Sequence, residues 1–123
     1  MPLTLRSEPG LPDSAIVVRG GAMLARDLAL AAQRTEADLG YPGVSVFASP
    51  SLGFRELVLA APALRVYSVV RRSTAAAVRA LGCELIATGA PPHYTLRLPD
   101  AEFPTLARLR DAFGPPIPNP GAR

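Results

Sequence analysis

Tryptophan and lysine are absent from this 123-residue chain, and cysteine and histidine occur once each, as Cys83 and His93. A single cysteine excludes an internal disulfide. With no second thiol or nearby histidine at ligand spacing it also excludes a zinc cluster, so Cys83 reads as a buried structural thiol. Aromatic residues make up only 6% of the chain, too few for a broad base-stacking platform. Every apolar run is interrupted by Arg, Asp, Gly or Pro well before the roughly 18 residues a bilayer-spanning helix needs. The opening "MPLTLRSEPGLPD" has no basic stretch followed by an apolar core and a small-residue cleavage site, which makes a cytoplasmic protein the expectation. The carboxylates do not pair into an acid site. Asp27, Glu36 and Asp38 fall on a solvated helix face, and Asp100 with Glu102 suits a helix start. Neither a metal nor a cofactor is called for.

What is present points to a packed globule. Hydrophobic residues account for 49% of the chain and mean hydropathy is +0.22, enough for one core and too short a chain for two. The net charge is +3, and every one of the 13 basic residues is arginine. Arginine with abundant Ala, Pro and Gly is the signature of a GC-rich, bacterial-type coding sequence. Arginine is also the better side chain for bidentate phosphate contacts, which keeps RNA among the candidate partners.

Periodicity along the chain gives the order βαβαβαββα. "SAIVVRGG" is a β-branched strand closed by glycines. From Ala22 to Leu39, the recurrence of Leu24, Leu28, Ala31, Thr35 and Leu39 predicts an amphipathic helix stopped by Gly40. "VSVFAS" predicts a second strand, and Ser49-Pro50 starts a short helix running through Ala60. "LRVYSVV" predicts a third strand. "RRSTAAAVRALG" follows as a helix capped by Ser73 or Thr74 and ended by Gly82. "CELIATG" and "HYTLRLP" predict an antiparallel hairpin, and Asp100 caps a last helix, Ala101 to Phe113, with Phe103, Leu106, Leu109 and Phe113 on one side. The expected fold is α+β, a single mixed, largely antiparallel sheet of about five strands with helices packed mainly on one face. The expected organisation is a flexible segment over 1–13, the domain over 14–114 and a Pro-rich arm over 115–123.

In "HYTLRLP", alternation sends Tyr94, Leu96 and Leu98 to the core, and His93, Thr95 and Arg97 to a polar, wet face. A histidine titrating near neutrality, a hydroxyl and a guanidinium suit metal-free phosphodiester chemistry, so these three are the candidate catalytic residues. The tripeptide His93-Tyr94-Thr95 resembles the His-x-Thr motif that occurs twice in the 2H phosphoesterases, where two copies flank a phosphodiester. Only one copy is present here, and "VSVFAS" carries Ser45 without a histidine. The resemblance therefore implies a complete two-histidine site only if a homodimer contributes two His93 side chains. A second candidate cluster is "VVRRST", which delivers Arg71, Arg72, Ser73 and Thr74 to a helix start able to hold an anion; Arg19, at the end of the first strand, joins it. "VVRGGAM" has neither the G-x-G-x-x-G spacing nor a Walker lysine and reads as a tight turn.

Two functions follow from these residues. One is a small interaction module with a protein partner, such as one half of a bacterial toxin-antitoxin-like pair, using the sheet face, an exposed strand edge or the "GPPIPNPGAR" arm. The alternative is a metal-independent RNA-binding or RNA-cleaving domain built on the His/Thr/Arg face. Both are compatible with a homo-oligomer, and neither involves a membrane. Denaturant unfolding tests the face assignment: Leu96→Ala should cost about 2–5 kcal/mol as a core truncation, and His93→Ala should leave stability nearly unchanged.

Overall fold

The computed structural model describes residues 5–6 and 10–123. It is an α+β domain in the order β1 (Ile16–Gly20), α1 (Ala25–Leu39), β2 (Gly43–Ala48), α2 (Phe54–Leu59), a 3-10 turn (Pro62–Val66), β3 (Val69–Thr74), α3 (Ala75–Ala80), β4 (Glu84–Ala87), β5 (His93–Arg97), α4 (Phe103–Ala112) and β6 (Ile117–Pro118). The expected sheet is present with one strand more. Six strands lie in the order β4-β5-β2-β1-β3-β6, and all the pairings are antiparallel. No helix among the described residues is long and apolar enough to cross a membrane.

Strand alternation builds two cores. Val17, Val44, Val46, Tyr94 and Leu96 point to one side, where Leu28 and Ala32 of α1, Val78 of α3, and Leu106 and Leu109 of α4 meet them. Val18 and Val70 point to the other side and pack against Leu57 and Val58 of α2 and Leu64 of the 3-10 turn. Three helices thus share one core, as expected. The second face is covered as well, over β1 and β3 and the adjoining Phe47 of β2 and Ile117 of β6.

Local signals set most boundaries. Gly40 ends α1 at φ 86°, with its N–H donating to the Glu36 carbonyl, a left-handed cap that suits a residue without Cβ. Thr74 caps α3 by accepting from Ala77 N at 3.2 Å, and Ser73 stays on the strand. Asp100 organises the entry to α4, accepting from Glu102 N at 2.9 Å and from the Thr105 hydroxyl at 2.5 Å.

Four expectations need correction. Leu64–Val66, expected in the third strand, lie in the 3-10 turn: Pro62 starts the turn, and Leu64 turns inward into the second core. Leu24 and Phe103, expected on buried helix faces, are 48% and 69% exposed, because α1 and α4 start just past or at them and bury only the stripes that follow. The Pro-rich segment 115–123, expected to extend away, folds back as an edge strand: Ile117 and Pro118 pair with Val70 and Val69. Asn119 locks it there, its amide donating to the Leu64 and Tyr67 carbonyls at 2.8 Å each while its own carbonyl accepts from Gly121 N. Lastly, parts of the segment expected to be flexible are fastened to the domain. Leu11 is buried, Asp13 pairs with Arg79 at 2.7 Å, and Arg6 donates to the Thr88 and His93 carbonyls at 2.6 Å each. Residues 1–4 and 7–9 of that segment lie outside the described residues.

Asn119→Ala leaves two carbonyls without their amide donor at the sheet edge, so it should destabilise the domain by about 1–3 kcal/mol, measured by urea unfolding. An unchanged midpoint would mean that the C-terminal strand is not fastened by this residue. Cys83 is buried among apolar groups, and its thiol is pushed up to about 11 by desolvation. Native protein should therefore react with a thiol reagent at pH 8 far more slowly than unfolded protein does.

Candidate functional site

β1 is paired with β3 along its whole length, from Ile16 opposite Thr74 to Gly20 opposite Val70. With β2 it pairs only at Val17–Ala48 and Val18–Phe47. Beyond that point the ladder stops, and the side chain of Arg19 bridges to β2, its Nη1 donating to the Ser45 carbonyl at 2.7 Å. Arg19 Nε is buried and is the one such side-chain atom without a hydrogen-bond partner among the described residues. Burial pushes the Arg19 pKa down, opposed by Tyr67 and Asp27. The guanidinium is still charged at any ordinary pH, because arginine starts from so high a value.

Three clefts converge on Arg19 and Tyr67. The first, about 340 Å³, runs between the Gly20-Gly21 turn and the Asp27 and Arg34 side of α1. The second, about 330 Å³, follows Arg34, Thr35 and Asp38 to Ser45. The third, about 240 Å³, passes Ser45 and Phe47 to His93. Gly20 makes this junction possible. A Cβ there would lie 2.2 Å from the Tyr67 ring, so only a residue without one lets the ring lie against β1. Tyr67 itself is 42% exposed and forms a shared aromatic wall.

His93 is half-buried at the far end of the third cleft. Its Nδ1 is 3.0 Å from both the carbonyl and the hydroxyl of Thr88, and its ring meets Phe47 edge to face with centroids 5.4 Å apart. A carbonyl can only accept, so the Thr88 oxygen selects the tautomer with hydrogen on Nδ1 and leaves Nε2 as the basic nitrogen. Desolvation is the main cause that pushes the His93 pKa down; Arg6 acts in the same direction, and the Thr88 backbone contact opposes them.

The wet face expected for β5 is only partly wet. Thr95 is buried, its hydroxyl 2.8 Å from that of Thr88, because Ser45 and Ile86 flank it in register and its methyl closes over Gly43 beside that of Thr35. Arg97 is exposed, but its guanidinium lies 4.7 Å over the Tyr41 ring, at the other end of the strand from His93. His93 and Thr95 are therefore joined through Thr88, and Arg97 stands apart.

The second candidate cluster is divided by strand alternation. Arg71 turns towards the end of α4, where Nε donates to the Gly114 carbonyl at 2.7 Å, Nη1 to Ala22 at 3.0 Å and Nη2 to Arg110 at 3.2 Å. Ser73 points the same way and donates to the Ala112 carbonyl at 2.8 Å. Arg72 points to the opposite face, 5.1 Å over the Phe54 ring. Thr74 is occupied as the α3 cap. Arg19 alone of this group reaches the clefts, and it meets His93 there. Tyr67, which the sequence offered as a stacking or assisting residue, completes the site with Arg34, Ser45 and Thr88, which had no marker of their own because each is an isolated polar residue in a different part of the chain.

Among the described residues no group of three or more His, Cys, Asp or Glu side chains could hold a metal ion. Comparison with protein-family models, with curated proteins and with solved structures gave no match.

The depressed His93 pKa fixes a sign for stability against pH. The unfolded chain takes up a proton near 6.5 and the folded one only at lower pH, so stability from this group is complete above 6.5 and is lost as pH falls below it. Asp100, whose carboxyl is held below its usual 3.8 by the Thr105 hydroxyl, contributes only at much lower pH. Urea midpoints at pH 7.5 and 5.5 should fall for the wild type and fall less for His93→Gln; equal falls would place the proton uptake elsewhere. The half-burial of His93 also revises the effect of His93→Ala, from nearly none to a loss of about 1 kcal/mol.

Proposed function

We propose that this domain binds RNA without a metal, through the clefts that converge on Arg19 and Tyr67, with His93 placed as a proton acceptor for phosphodiester chemistry. The observation that carries this reading is the half-buried Arg19 guanidinium, whose Nε is enclosed and has no partner among the described residues. A desolvated charge with no carboxylate in direct contact is costly, and an anionic ligand offsets that cost. Arg34, which has no carboxylate within 4.0 Å among the described residues, adds a second cation. Tyr67 offers an aromatic edge or face on which a base stacks, a contact every base can make. His93, with Nδ1 held by Thr88, keeps Nε2 available as a base.

A protein partner is the second reading, an interaction module of a bacterial toxin-antitoxin-like pair. It is favoured by Val66 and Phe103, which are 77% and 69% exposed. The docked 115–123 segment lends it no support.

The deciding measurement is fluorescence anisotropy with a labelled single-stranded RNA in chelator across a salt series, with gel analysis of the same samples for cleavage. Wild type should bind in a salt-sensitive manner. Arg34→Ala should reduce the slope of log affinity against log salt by about 1, and Tyr67→Ala should cost about 1–3 kcal/mol of binding. Cleavage by wild type that is lost in His93→Ala would add the catalytic role. No binding at low salt, or variants that bind as wild type does, would reject the RNA reading and leave the protein partner.

A further inference from the structure

The three clefts differ in charge. The two that run along α1 carry Asp27, or Asp38, beside Arg34, so they are electrically mixed. The third is lined by Arg19, Ser45, Phe47, Tyr67 and His93, with Leu64 and Ala63 on the turn side, and contains no carboxylate. An anion entering the junction is therefore drawn towards the His93 end and away from α1. Phe47 and Leu64 wall that end with apolar groups, and charge-assisted hydrogen bonds are stronger where water is scarce.

Among the described residues, two polar atoms on residues that line this third cleft have no hydrogen-bond partner. One is Arg19 Nε. The other is His93 Nε2, which makes no hydrogen bond to any described residue while Nδ1 is fixed on Thr88. Resting on the RNA-binding reading, we propose that the cleft between Arg19 and His93 is a subsite for a terminal phosphate, the monoester end of an RNA strand or of a nucleotide.

The preference for an end follows from where Arg19 lies. Its Nε is buried where β1 and β2 part, so a group must penetrate to reach it. An internal phosphodiester has a sugar on each side, and both would have to enter with it. A monoester has one sugar and three unsubstituted oxygens. One oxygen accepts from Arg19. Another meets His93 Nε2 with one proton shared between them, carried either by the phosphate or by the imidazole, whose ordinary pKa values lie close together. The sugar and base then leave along the Tyr67 wall into the α1 clefts. No bond is made or broken in this step.

The test compares RNA oligonucleotides of one sequence with a 5′-phosphate, a 3′-phosphate or hydroxyls at both ends, in chelator at fixed salt, with AMP, adenosine and inorganic phosphate as competitors. At least one phosphorylated end should bind tenfold or more tightly than the hydroxyl-ended strand, and AMP should compete where adenosine does not. In His93→Gln the phosphorylated strand should lose this advantage over the hydroxyl-ended one, and the urea midpoint of the variant at pH 7.5 shows that it is folded. Equal, salt-sensitive binding of all three strands would overturn the terminal subsite and leave RNA binding intact. Saturable binding of AMP with no binding of any strand would support the subsite and overturn the RNA reading. Binding of none of these ligands would overturn both.

Discussion

Arg19 stands where the two central strands of the sheet separate, and the character of the molecule depends on that separation. A sheet gains from continuous pairing across its middle, yet β1 and β2 share only two residue pairs before diverging. The Arg19 guanidinium takes over the missing backbone contact by donating to Ser45. It is less well satisfied than a ladder amide would be, because Nε is left without a partner. Two cores, one on each side of the sheet, provide the apolar burial that tolerates this local deficit. The same gap admits three clefts and leaves a cation at their junction.

β3 shows why a polar run on a strand does not by itself make a site. Its successive residues face opposite sides, so Arg71 and Ser73 fasten the end of α4 while Arg72 covers Phe54. Arg71 reaches carbonyls belonging to Gly114, Ala22 and Arg110, groups left open at the end of α4 and at the turn before α1. A guanidinium with five donors in a fixed fork suits that task. Ser73 extends it, and Gly114 N returns a bond to the Arg72 carbonyl. Residues with the chemistry of a phosphate site are here committed to holding a helix end against a strand.

The order and type of the elements were legible because each carried a local signal. β-branched runs with alternation produced β1, β2 and β5; Gly40 and Gly82 closed helices; Thr74 opened one. The sixth strand was not legible. "PPIPNP" has the composition of an extended arm, and its place at the sheet edge rests on Asn119 finding the Leu64 and Tyr67 carbonyls more than fifty residues away. Thr95 shows a related limit. Alternation placed it correctly opposite Tyr94 and Leu96, but its burial comes from neighbours on β2, β4 and α1 that no reading of its own strand contains.

Of the candidate site, the sequence by itself narrowed the choice of groups to a lone histidine and to arginines, since lysine is missing and cysteine is single. It also determined the fold class, because helix and strand periods are properties of neighbouring residues. Only the tertiary structure decided which arginine meets the histidine. Arg97 is closest to His93 in sequence yet lies on Tyr41, while Arg19, 74 positions away, lines the same cleft. Strand order and strand divergence set that meeting, and both depend on contacts between distant parts of the chain.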